Sequence, residues 1–109
     1  MTHEQYLKRF KEITTEMFST TKSKNKDYSP GDSALGNFDE FGAVGVLIRI
    51  GDKFKRLKTN LWHKQAYVVN ESVIDTTMDM AVYSVIMRIL IEEEAKRFKR
   101  KRKTKRKRK

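Results

Sequence analysis

The stretch Glu71-Ser-Val-Ile-Asp-Thr-Thr-Met-Asp-Met80 decides the fold. Glu71, Asp75 and Asp79 recur at every fourth position, which puts them in one stripe along a helix. Ile74, Met78, Val82, Val85, Ile86, Ile89 and Leu90 carry an apolar helical pattern onward to about Lys96. A second stretch, Leu47-Ile-Arg-Ile-Gly-Asp-Lys-Phe-Lys-Arg-Leu57, holds Arg49, Asp52, Lys53 and Arg56 on one polar stripe. Both read as long helices joined by the polar and β-branched connection His63 to Asn70. If the chain folds back near residue 66 or 67, Asp52 lies opposite about residue 81, Lys53 opposite about 80 and Arg56 opposite about 77. Asp52, Asp75 and Asp79 are therefore expected to meet near the middle of an antiparallel hairpin.

Carboxylates gathered between packed helices are costly unless something neutralises them. Two readings follow. In the first, Asp52, Asp75 and Asp79 are the protein ligands of magnesium, which takes hard oxygen donors and bridges carboxylates to phosphates. Arg49, Lys53 and Arg56 then face phosphate oxygens. In the second, the same residues form an interhelical ion-pair network, Arg56 with Asp75 and Lys53 or Arg49 with Asp79. Spacing does not separate the two.

Upstream, the second helix is expected to begin near Asn37, a good N-cap, with Asp39 and Glu40 in its first turn, and to run to about Trp62. Phe38, Phe41, Val44, Leu47, Ile48, Phe54, Leu57 and Leu61 give it a broad apolar surface. Gly42, Gly45 and Gly51 inside it point to close approach of a neighbouring helix or a bend. A first helix spans about Thr2 to Lys22, with Tyr6, Leu7, Phe10, Ile13, Met17 and Phe18 on one face and a Thr2–Gln5 capping box. Between them, Ser23 to Gly36 reads as a loop turning at Pro30-Gly31.

At 109 residues the chain supports one domain. It has no cysteine, so a disulfide scaffold and a Cys-ligated zinc site are excluded. No apolar run has the roughly 18 to 20 residues a bilayer span needs, and the polar N-terminus does not resemble a secretory signal. The net charge of +11 is unevenly placed: residues 96–109 hold 12 of the 25 basic side chains and none of the 14 acidic ones. The remaining 95 residues carry 13 basic and 14 acidic groups, a net of −1. The expected organisation is an all-α domain over residues 1–95 and a basic low-complexity tail over 96–109, disordered by self-repulsion.

Asn25-Lys-Asp-Tyr28, Leu35-Gly-Asn-Phe38, Val46 to Leu57 and Glu71 to Tyr83 together resemble the nucleotide modification associated domain 1 family of phages and bacteria. The order Lys-Asn-x-Asp-Tyr, Arg-x-x-Asp-Lys, Asp-x-x-x-Asp spans roughly residues 20–92. The pattern also looks like the all-α MazG-like nucleoside triphosphate pyrophosphatases. That resemblance implies antiparallel helices, magnesium on Asp52, Asp75 and Asp79, and Lys24, Asn25, Asp27 and Tyr28 as holders of a base or sugar. It also implies a candidate pyrophosphohydrolase that releases monophosphate and pyrophosphate. If the chain hydrolyses, one acid must act as general base, and Glu71, on the same stripe as Asp79, is the candidate. One departure bears on activity. The MazG-like Glu-x-x-Glu is replaced by Arg49-x-x-Asp52, so a nucleotide-binding domain without turnover is equally consistent with the residues.

The tail supports a different reading, a non-catalytic DNA- or RNA-binding protein. Lys99, Arg100, Lys101, Arg102, Lys103, Lys105, Arg106, Lys107, Arg108 and Lys109 would contact phosphates with little sequence preference. Pairing into a homodimer or higher homo-oligomer is expected under either reading, because three amphipathic helices leave a large apolar face. The expected compartment is the cytoplasm, that of the bacterial host if the gene is a phage's. It is the nucleus if the source is eukaryotic or a eukaryotic virus, since the tail then resembles a localisation signal.

Overall fold

A computed structural model describes residues 1–28, 34–38, 40–63 and 71–107. The chain is all-α, with three helices: α1 (His3–Tyr28), α2 (Gly42–Lys58) and α3 (Glu71–Lys107). A short 3-10 turn, Gly36–Phe38, precedes α2, and a π turn, Thr59–His63, follows it. The chain divides into two compact units, Met1–Asp39 and Glu40–Lys109.

The first unit is dominated by α1. Its start is the capping box expected from the sequence. Gln5 N donates to Thr2 Oγ1 at 3.1 Å, and Thr2 N donates to Gln5 Oε1 at 2.9 Å. The helix runs six residues past its expected end, through Tyr28 rather than Lys22. The reason is local: Ser23 to Tyr28 contains no breaker, and the first is Pro30. Lys24, Asn25, Asp27 and Tyr28 therefore belong to the last turns of a helix and not to a loop. Tyr6 and Phe10 stack along one face, with ring centroids 6.1 Å apart.

The second unit is an antiparallel hairpin of α2 and α3. On α3 Val73, Thr76 and Leu90 are buried, and Met78, Asp79, Met80, Val82, Tyr83, Ile86, Met87 and Glu93 are half-buried. On α2 Val46 is buried and Gly42, Ala43, Gly45, Ile50, Lys53 and Leu57 are half-buried, with Asn60 half-buried in the turn that follows. The two helices pack along these faces. Val46 is the most buried residue, at 1% exposure.

The seam coincides in part with the expected apolar faces: Met78, Val82, Ile86 and Leu90 on α3 and Leu57 on α2 are buried or half-buried. Phe41, Val44, Leu47, Ile48, Phe54 and Leu61 are exposed on α2, as are Ile74, Val85 and Ile89 on α3. These helices are apolar on more than one side, and the hairpin uses only one of them.

The entry to α2 also departs from expectation. Asn37 lies in the 3-10 turn, and α2 begins five residues later, after Phe41, with no side-chain cap from its own end. Glu94 of α3 supplies the cap, its Oε1 accepting from Ala43 N at 3.2 Å. Gly42 has φ 57°, a left-handed conformation natural to glycine, and a β-carbon there would collide with the Glu94 carboxylate.

At the other end, α3 does not stop near Lys96. It continues as one helix to Lys107, where the sequence suggested disorder. No glycine or proline interrupts residues 71–107, Lys and Arg are good helix formers, and cations suit a helix C-terminus. Those preferences act against the self-repulsion on which the expectation of disorder rested.

Candidate functional site

Two regions gather charged side chains. The first is the waist of the hairpin. Lys53 projects from the α2 seam, and its Nζ meets Asp79 Oδ2 at 3.1 Å. The two side chains are 20% and 35% exposed, so the pair is shielded but still touches solvent. One turn before Lys53 on α2, the Arg49 guanidinium lies 5.9 Å from the centre of the Tyr83 ring on α3. Glu94 facing Ala43, Tyr83 facing Arg49 and Asp79 facing Lys53 set the register, within a residue of the position expected for Lys53.

Asp52, Asp75 and Arg56 are exposed. Lys24 is exposed on α1, in the other unit. The side chains of Asn25, Asp27, Tyr28 and Glu71 lie outside the described residues, as does most of the Pro30 turn. Among the described residues, no three His, Asp or Glu side chains are grouped to hold a metal. With Asp79 bonded to Lys53 and the other two acids turned to solvent, Asp52, Asp75 and Asp79 do not, as placed, fit a magnesium cage. We assign no hydrolytic step to them. The Lys53–Asp79 half of the ion-pair reading is present.

The second region is the C-terminal part of α3. Residues 96–107 place ten lysines and arginines on about 18 Å of helix. The basic run is nearly unbroken, so its positions fall all the way around the helix axis. Glu93 accepts from Lys96 at 3.1 Å, where the acidic part of the helix meets the basic part. Lys99, Arg100, Arg102 and Lys103 line a shallow concavity on its surface. Arg102 lies over the Phe98 ring at 5.8 Å. No acid follows Glu94 in the sequence, so the basic run holds no carboxylate of its own. Sequence reading missed the capping role of Glu94, and only the hairpin register could have revealed it, since Gly42 and Glu94 are 52 positions apart.

Compared with protein-family models, curated proteins and solved structures, the chain matches none. No helix among the described residues is long and apolar enough to cross a membrane.

Proposed function

We propose that this chain binds nucleic acid through the basic C-terminal turns of α3, with the α2–α3 hairpin as their rigid base. One observation carries this reading: α3 runs unbroken from the hairpin seam to Lys107 and delivers ten cations on a single rod. Lys and Arg at that density bind phosphate backbones largely irrespective of sequence, releasing counterions as they do so. The test is electrophoretic mobility or fluorescence anisotropy with duplex DNA and with RNA, using the full chain and a variant lacking residues 97–109. Loss of binding on deletion supports the reading, and retention overturns it.

A second reading concerns the hairpin waist. The shielded Lys53–Asp79 pair beside Arg49 and Tyr83 favours a (deoxy)nucleotide site there, in line with the family resemblance. Lys53, Arg49 and Arg56 would take the phosphates, with magnesium recruited by the nucleotide itself. Calorimetric titration with deoxynucleotides, with and without magnesium, tests it. Magnesium-dependent binding lost in Asp79→Asn supports a ligand site, whereas no binding under any condition leaves the pair structural.

The exposed apolar stripe Val44, Leu47, Ile48, Phe54 and Leu61 favours self-association. Sedimentation of the wild type and of Leu47→Glu tests this. A homo-oligomer should give way to monomer in the variant.

A further inference from the structure

Trp62 is 76% exposed, in the π turn that closes α2. Tryptophan is the side chain with the most to gain from burial, so its display at a turn calls for a physical reason. Its surroundings supply one. Lys58 Nζ stands 5.6 Å from the ring centre, and Lys55, Arg56 and Lys58 make the last turn of α2 basic and exposed. An apolar protein partner docking on the ring would have to desolvate those charges. A nucleotide of a single strand satisfies both halves at once: its base stacks on the indole and its phosphates meet the cations. The same pairing recurs on α3, where Phe98 is 63% exposed beneath Arg102.

We propose that Trp62, with Lys58 over its ring and the basic last turn of α2 before it, is a stacking site for an unpaired base of single-stranded nucleic acid. This deepens the nucleic-acid reading and rests on it. It adds a base-dependent contact at the turn end of the hairpin, about 40 Å of helix away from the basic segment that begins near Phe98.

Trp62 is the only tryptophan, so emission excited to the red of tyrosine absorption reports on this ring alone. The experiment titrates the full chain with labelled oligothymidylate, following binding by label anisotropy and stacking by tryptophan emission. Inorganic polyphosphate, which has charge but no bases, is the parallel titrant. Emission should be quenched by oligothymidylate and unchanged by polyphosphate. Trp62→Ala should weaken oligothymidylate binding about tenfold, Trp62→Phe should largely restore it, and polyphosphate affinity should stay level in both. Oligothymidylate binding with unaltered emission would overturn the stacking site and leave the basic-helix reading intact. No oligonucleotide binding at all would remove both. Emission that shifts with protein concentration alone, in a chain that Trp62→Ala turns monomeric, would assign the ring to an interface between copies and overturn the proposal.

Discussion

Salt dependence of nucleic-acid binding separates a rigid basic helix from a loose cationic tail. Residues 96–107 carry ten cations around a helix, and a straight rod can turn only about half of its circumference toward one duplex. About five phosphates are then neutralised, and the logarithm of the binding constant should fall with the logarithm of salt with a slope of about −4.5. Raising salt from about 50 to about 200 mM should weaken binding about 500-fold. A free chain could apply all 12 cations of residues 96–109, giving a slope of about −11 and a loss above about a millionfold over the same interval. The assay is fluorescence anisotropy of a labelled duplex at four or more salt concentrations. Lys101→Pro breaks the helix in mid-segment and should steepen the slope despite removing a charge. A wild-type slope near −11 would refute the helical presentation, and a slope near zero would refute phosphate contact altogether.

Three further outcomes concern the hairpin. Val46→Ala removes two carbons from the most buried side chain and should cost about 2–3 kcal/mol in urea unfolding, transfer and cavity terms together. Gly42→Ala adds a left-handed penalty of about 1–2 kcal/mol to the loss of a cap worth about 1 kcal/mol, and the Gly42→Ala/Glu94→Ala double variant should be less destabilised than the sum of the singles. A double-mutant cycle on Lys53→Ala and Asp79→Ala should give a coupling of about 0.5–1 kcal/mol, the range for a pair that still touches water. A coupling of zero would mean that the pair adds nothing to the stability of the hairpin.

The hairpin and its register were legible from two short stretches, because the turn position and helical rise leave little freedom. Lys53 was placed opposite residue 80 and meets Asp79. Which face forms the seam was not legible. Ile74, Val85 and Ile89 fit a helical period as well as Val73, Tyr83 and Leu90 do, and only packing chooses between them. Element ends were misjudged where a local signal had a remote competitor. Asn37 is a good cap by type, but Gly42 and the distant Glu94 set the actual start of α2. The acid stripe was correctly placed on one helix. Its meaning depends on where Lys53 comes to rest, and helical spacing on α3 alone cannot encode that.

The unbroken α3 has a consequence for how the chain tolerates change. With no hinge between Leu90 and the basic turns, inserting one residue near Ala95 would rotate everything beyond it by about 100° relative to the hairpin. The cations encircle the axis, so such a phase error would leave phosphate contact almost untouched. Phe98, a single ring on one side, would swing away from its former bearing. The length of the segment between seam and tail is thus free to drift for charge recognition, but it is phase-locked for any contact that depends on that aromatic ring.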